Sequence, residues 1–163
     1  MSNNRGWTAA GRLAALLATF LLSVPGAATA ADAPYPGTVT VASAHGYADT
    51  VARLETTIEA QKMGLVARAS ASQGAASRGV KIPGNAVLMV FRNDYAVRML
   101  AASVPAGIEA PLRIYVKEDG DGRTRITYRK PTAVFAPYSS PALDAMAREL
   151  DPIFERIVGD AAR

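Results

Sequence analysis

The sequence contains one histidine and no cysteine, and this composition limits its chemistry. His45 lies at a strand-to-helix junction, where a general base or a ligand could be placed. Zinc sites need three or four nitrogen, sulfur or oxygen ligands, so the residue types predict no metal site and indicate no cofactor. No serine occupies a Gly-x-Ser-x-Gly frame, and no glycine-rich phosphate loop occurs. We therefore name no catalytic residue, and the sequence favours a protein that is not an enzyme.

Two groups of residues could bind a ligand. Arg92, Asn93 and Asp94 directly follow an apolar run, and with His45 and Tyr128 they are the candidate ligand-binding residues. The second group is a polar-aromatic face on a hairpin, which could bind a small anion or a partner chain. Its members are Tyr115, Tyr128, Arg113, Arg125 and Arg129. The alternative for that face is an ordinary half-hydrated sheet surface.

Methionines and acidic residues have simpler explanations than metal binding. Thioethers can bind copper(I), but the methionines after residue 30 lie on apolar faces without a Met-x-x-Met spacing, which favours core packing. The acidic run from Glu118 to Asp121 lacks the ordered oxygen ligands of a calcium loop. Its two glycines favour a hairpin turn.

The apolar periodicity predicts an α+β fold with the order β-α-β-(α)-β-α-β-β-α. Alternation predicts strands over 38–44, 112–117 and 123–130. The continuous apolar run 86–91 predicts a central buried strand, and 65–69 is a further short strand. Helical spacing predicts helices over 47–64, 72–79, about 93–103 and from Ser140 onward. The expected architecture is a mostly antiparallel sheet with helices packed on one face.

Several local expectations accompany this fold. We expect Gly64 to end the first helix, residues 131–137 to be irregular, and Pro152 to kink or restart the last helix. The expected apolar stripe of the third helix consists of Val97, Leu100, Ala101 and Val104. The expected core face of the last helix consists of Leu143, Met146, Ala147, Leu150, Phe154, Ile157 and Val158.

The first thirty residues have the pattern of a secretory signal peptide. A basic opening precedes the apolar run 13–24, and Ala28-Thr29-Ala30 predicts cleavage between Ala30 and Ala31. The run is too short to span a bilayer, which needs about 20 apolar residues. No second long apolar run follows, so we expect no membrane span after cleavage. This predicts a periplasmic or secreted protein with a signal peptide over 1–30, a mobile lead-in over 31–37 and a single domain over 38–163.

Cleavage would also change the charge. The full chain carries 18 basic and 14 acidic residues. Loss of Arg5 and Arg12 leaves 16 basic residues against 14 acidic ones, a net charge of +2. So small an excess does not indicate a nucleic-acid partner.

The ordered segments from Tyr47 to Pro131 resemble the domain of unknown function 302 family. The similarity includes the small-residue stretch 75–82, the buried strand 87–90, the segment 110–113, the acidic turn with Gly122, and Tyr128-x-x-Pro131. The resemblance implies a compact α+β domain that can form a homodimer, without an established activity. Phe91-Arg92-Asn93 replaces the Gly-Asn-Pro of many members, and Ser70-Ala71 replaces an Asp-His pair, so no catalytic residue is carried over.

These observations lead to a function hypothesis and to alternatives. The leading hypothesis is a non-enzymatic binding or interaction module of the cell envelope, whose partner is a small molecule or an envelope protein. The alternative is a small-ligand carrier or enzyme with a pocket near Arg92-Asn93-Asp94 and His45. A homodimer with a shared sheet or helix face is the third hypothesis.

Overall fold

A computed structural model describes residues 35–163 of the chain. The expected signal peptide, its cleavage site at Ala30 and Ala31, and the first part of the lead-in lie outside the described residues. Tyr35 begins the described part, where its carbonyl oxygen accepts a hydrogen bond from the Thr38 hydroxyl at 2.8 Å. No helix in this part of the chain is long and apolar enough to cross a membrane.

Five strands and five α-helices make up the described residues. The strands are β1 (Thr38–Ala42), β2 (Gly64–Ala69), β3 (Asn85–Phe91), β4 (Leu112–Glu118) and β5 (Thr124–Arg129). The helices are α1 (Tyr47–Ala60), α2 (Ala71–Ala76), α3 (Asn93–Ala102), α4 (Pro131–Phe135) and α5 (Pro141–Ala162). Short 3-10 segments cover Val104–Glu109 and Ala136–Tyr138. The expected order is confirmed, with α4 as an addition.

The strands form one antiparallel sheet in the order β1-β5-β4-β3-β2. Alternation along each strand gives the sheet two different faces. One face carries Leu88, Ile114 and Ile126, which are fully buried beneath the helices. The other face carries Arg113, Tyr115 and Thr127, which remain partly or largely exposed. We call this second surface the open face.

Helices α1 and α5 supply most of the layer that covers the buried face. Helix α5 begins at a serine cap, where the Ser140 hydroxyl accepts a hydrogen bond from the backbone N–H of Leu143 at 3.4 Å. Its expected core residues are all buried, and Leu150 is 3% exposed. The helix runs without a break through Pro152. The α+β class with helices on one face of an antiparallel sheet is therefore confirmed.

Three local expectations are wrong. Helix α1 ends at Ala60, the left-handed residue that follows it is Lys62 (φ 57°), and Gly64 already belongs to β2. Residues 131–137 are helical, because Pro131 occupies the first turn of α4, where its missing N–H costs no hydrogen bond. On α3, the buried residues are Tyr95 and Met99. The expected stripe is exposed, because α3 packs against α5 through the side that carries Tyr95 and Met99. The exposed residues of that stripe are Val97, Leu100, Ala101 and Val104.

Candidate functional site

Hydrogen bonds at His45 and its neighbour Ala44 connect the segment after β1 to the C-terminal end of α5. The residue follows β1, and its Nε2 lies 2.8 Å from the backbone oxygen of Arg163. That oxygen can only accept, so Nε2 carries the hydrogen in this contact. The neighbouring backbone N–H of Ala44 donates to the carbonyl of Ala162 at 2.8 Å. These contacts give His45 a structural role at the C-terminal end of α5.

Arg92 and Asp94 form an ion pair at the start of α3. The Nε and Nη2 atoms of Arg92 donate to the two carboxylate oxygens of Asp94 at 2.7 and 3.0 Å. These hydrogen bonds lower the pKa of Asp94 and raise that of Arg92. The Arg92 guanidinium also lies 4.2 Å from the centre of the Tyr95 ring. Asn93, the first residue of α3, is exposed.

The cavity that Arg92 lines is small. A cavity of about 30 Å³ lies between Arg92 and the core methionines Met63, Met99 and Met146. One water molecule occupies a comparable volume in the liquid, so the cavity is too small for a metabolite. The Arg92 guanidinium already donates two hydrogen bonds to the Asp94 carboxylate, so these two donors are not available to a ligand.

The structure does not bring His45 and Arg92 together. Strands β1 and β3 run in opposite directions, because two strands, β5 and β4, separate them in an antiparallel sheet. His45 follows the end of β1 and Arg92 follows the end of β3, so the two residues lie at opposite ends of the sheet. The expected pocket that includes both residues is not formed.

The tyrosines of the hairpin lie on different faces. Tyr128 is opposite Ile114 and is 4% exposed on the helix-covered face, with its ring centre 6.0 Å from that of Phe154. Burial raises the pKa of Tyr128. Tyr115 is opposite Thr127 on the open face. The expectation that Tyr128 shares one face with Tyr115 and the arginines is therefore wrong, although an edge of Tyr128 reaches the cleft described next.

A cleft of about 660 Å³ lies over one end of the open face, a size within the ordinary range of small-molecule sites. Strands β4 and β5 form its floor, α4 and the Val104–Glu109 segment form part of its wall, and Tyr35 lies at its rim. The lining residues are Tyr35, Thr38, Val87, Glu109, Leu112, Arg113, Tyr115, Thr127, Tyr128, Arg129 and Val134. Of the five candidate ligand-binding residues, only Tyr128 contributes to it.

Arg129 is the most enclosed cation of the cleft. Its Nη2 donates to the carbonyl of Ala133 at 3.1 Å, and its guanidinium carbon lies 5.3 Å from the centre of the Tyr35 ring. Its Nε is buried and has no hydrogen-bond partner among residues 35–163. Buried polar groups in proteins are nearly always hydrogen-bonded, so one donor of this guanidinium lacks the acceptor that such a group usually has.

Among residues 35–163, the lining of the cleft includes one acidic residue, Glu109. Its carboxylate accepts a hydrogen bond from the Tyr138 hydroxyl at 3.0 Å. Burial and the adjacent carboxylate raise the pKa of Tyr138, which therefore remains a donor at neutral pH. The described lining thus carries two arginines and one carboxylate.

A second pair of cations lies on the open face, away from the cleft. Lys117 and Arg125 are directly opposite each other on β4 and β5. The Asp119 carboxylate joins them: one oxygen is 2.6 Å from Nζ of Lys117, and the other is 2.5 Å from Nε of Arg125. These two bonds lower the pKa of Asp119. Arg125, one of the arginines of the expected binding face, is therefore already bonded to Asp119.

Sequence reasoning found part of this cleft. Strand alternation placed Arg113, Tyr115 and Arg129 on one side of the hairpin. Tyr35 and Glu109 come from segments outside the strands and carry no periodic signal. Within residues 35–163, no group of three or more histidine, cysteine, aspartate or glutamate residues is arranged to hold a metal ion.

The fold and the cleft define an α+β domain with one helix-covered and one open sheet face. A family model described as "Domain of unknown function DUF302" matches residues 39–160. The chain belongs to this family, which confirms the resemblance found in its sequence. A crystal structure of an uncharacterized conserved DUF302 protein from Bacillus stearothermophilus is similar to it with a TM-score of 0.69 and 23% sequence identity. That similarity covers 78% of this chain and 99% of the other, and it shows a shared fold.

A curated relative is similar over a shorter stretch. The "Fluoride-specific ion channel FluC 1" of Brucella suis biovar 1 (strain 1330) is 25% identical over 95 residues. The match covers 58% of this chain and 37% of that protein. The chain therefore corresponds to little more than a third of the relative's length.

Proposed function

We propose that this protein is an exported, non-enzymatic binding module of the cell envelope and that the open-face cleft is its binding site. The observation that carries the proposal is the cleft itself, which combines a ligand-sized volume with apolar walls and two arginines. Small-molecule sites generally have this composition, in which a few polar groups orient a ligand against apolar surface.

The chemistry of the lining favours binding over catalysis. The described lining contains no histidine, cysteine or serine that could form a nucleophile and base pair. Arginine remains protonated at any physiological pH, so Arg113 and Arg129 can attract and orient a ligand but cannot serve as general bases. The lone histidine lies at the other end of the sheet and is bonded to the backbone oxygen of Arg163.

The binding site can be tested by filling the cleft. Val87 lies on the open face at the cleft floor, and Val87→Trp should occupy the space while retaining a residue that suits a strand. Ala42→Trp is the matched control, because Ala42 is exposed at the far end of the same face. We expect a periplasmic metabolite screen by thermal shift to find a ligand that stabilises the natural protein and Ala42→Trp but not Val87→Trp. Equal stabilisation of all three proteins would place the site elsewhere.

Export is supported by the pattern of residues 1–30 and is tested separately. We expect the protein expressed in a Gram-negative host to be recovered from the periplasm with Ala31 as its first residue. Replacement of Ala28 and Ala30 by a bulky residue should block processing. Recovery of the full chain from the cytosol, starting at Met1, would refute the proposed location.

A second copy of the chain is the proposed protein partner. The observation that favours it is a run of exposed apolar side chains from α3 into the following 3-10 segment, in which Val104 is 73% and Ile108 81% exposed. Exposed apolar patches commonly mark interaction surfaces. We expect light scattering at micromolar concentration to give a dimer that Ile108→Asp converts to a monomer. A monomeric natural protein would exclude this partner.

A further inference from the structure

Two cations face each other on the open face, and one acid group bonds both of them. Like charges directly opposite on neighbouring strands destabilise a sheet. Lys117 and Arg125 form such a pair, and the Asp119 carboxylate from the hairpin turn bonds both of them. The repulsion is thereby replaced by two charge-assisted hydrogen bonds to one acid group.

A second pair of cations on the open face lacks this acid group. Arg113 and Arg129 are the next residues along β4 and β5 beyond the last paired positions, Ile114 and Tyr128, and strand alternation places both on the open face. Among residues 35–163, no carboxylate lies within 4.0 Å of either guanidinium. The two arginines therefore lack an anion in the position that corresponds to Asp119.

Both arginines line the cleft, and within residues 35–163 the buried Nε of Arg129 has no hydrogen-bond partner. A guanidinium presents a flat set of donors that matches two oxygens of a carboxylate-type group. An ammonium group would not give this directional match, so arginine at both positions is informative. Two like charges close together in an otherwise regular pair of strands are unfavourable for folding. Such locally unfavourable features are expected at functional sites.

The other lining residues of the cleft indicate the chemistry of the ligand beyond its anionic group. Val87, Leu112 and Val134 give apolar walls, and the rings of Tyr35 and Tyr115 add aromatic surface. Glu109 contributes a negative charge to the same cleft, so the two arginines leave a single net positive charge. That balance suits one negative charge and disfavours a second.

We infer that the cleft binds a small amphipathic monoanion, whose carboxylate-type group lies between Arg113 and Arg129 and whose apolar body lies on Val87, Leu112 and Val134. This ligand class rests on the proposed function, because it concerns the same cleft. The anion is a free small molecule.

The test compares two fluorescent probes with one apolar body. 8-Anilinonaphthalene-1-sulfonate carries a single negative charge, and N-phenyl-1-naphthylamine is its neutral counterpart. We expect the purified protein to bind the sulfonate at one saturable site, at least about tenfold more tightly than the neutral probe, because charge-assisted hydrogen bonds are worth about a factor of ten or more. Arg113→Gln should weaken sulfonate binding by a similar factor and leave binding of the neutral probe unchanged. Arg148→Gln, at an exposed arginine on α5, is the matched control and should change neither.

The outcomes separate this ligand class from the proposed function. If Val87→Trp blocks both probes while Arg113→Gln affects neither, the cleft is a binding site but the anion is wrong. If Val87→Trp affects no probe, the cleft is not the site, and the proposed function falls with it. If the natural protein binds the sulfonate no better than the neutral probe, the monoanion is refuted. Far-UV circular dichroism verifies that each variant is folded.

Discussion

Gly84 offers a sharp test of how β3 is packed against the start of α1. The residue is buried immediately before β3, and a Cβ atom added there would lie 2.4 Å from Cγ and 2.5 Å from Cδ1 of the Tyr47 ring. Real Cβ contacts are essentially never so short, and Cγ lies too near the backbone to move away freely. The φ angle of Gly84 lies outside the left-handed range, so the backbone itself accepts alanine.

Two effects of opposite sign determine the magnitude for Gly84→Ala. Overpacking of a buried position costs about 1–3 kcal/mol. Alanine also lowers the conformational entropy of the unfolded chain, which stabilises the folded protein by about 0.4–1 kcal/mol when the native backbone suits alanine. We therefore expect a net loss of about 1–2 kcal/mol in the free energy of unfolding. When Tyr47→Ala removes the ring, only the favourable term remains, and Gly84→Ala should become stabilising by about 0.4–1 kcal/mol.

Urea unfolding followed by far-UV circular dichroism measures all four proteins of this double-mutant cycle. Gly74→Ala is the control, because Gly74 lies in α2 with no atom within 4 Å of an added Cβ. Alanine is the better helix former there, so this variant should be slightly more stable. A destabilisation by Gly84→Ala of equal size with and without the Tyr47 ring would refute the packing described for these residues.

Three further predictions concern the core, the hairpin and the cleft. Leu150→Ala should lower the free energy of unfolding by about 2–5 kcal/mol, because this α5 side chain is buried; a loss below about 1 kcal/mol would contradict that placement. Asp119→Asn should destabilise the protein at pH 7, and the difference from the natural protein should close as the pH falls from 5 to 2. The pKa of Asp119 is lowered in the folded state, so its stabilisation is present above the ordinary carboxyl pKa and is lost on acidification; urea unfolding that gives a pH-independent difference would contradict this. Arg113→Glu should remove sulfonate binding and raise stability by about 0.2–1 kcal/mol, because it supplies the acid that Arg129 lacks. Loss of both binding and stability would indicate that Arg113 has a structural role.

The sequence by itself determined the local elements and their faces. Strict alternation along 112–117 and 123–130 predicted the two sides of each hairpin strand, since a strand repeats every two residues, but the grouping of Tyr128 with Tyr115 across the two strands was wrong. The period of the last helix identified its core face, because apolar residues there follow a single stripe. The ordered motifs also sufficed to identify the family.

Helix α3 shows where local patterning fails. It has apolar residues on two sides, Tyr95 and Met99 on one and Val97 and Leu100 on the other, and periodicity alone cannot choose between them. Packing against α5 decided the choice. Gly64 and Lys62 give a similar lesson, because the left-handed turn after α1 fell on a lysine that no propensity would have selected.

Only the tertiary structure decided how the cleft is assembled. Local sequence does not reveal that β1 returns to pair with β5, a contact between residues about ninety positions apart. That pairing places Thr38 opposite Arg129, which brings the arginine within reach of Tyr35. The hairpin itself supplies the Asp119 carboxylate to Lys117 and Arg125, whereas the long-range pairing of β1 with β5 brought Tyr35 and Thr38 to the cleft that Arg113 and Arg129 line.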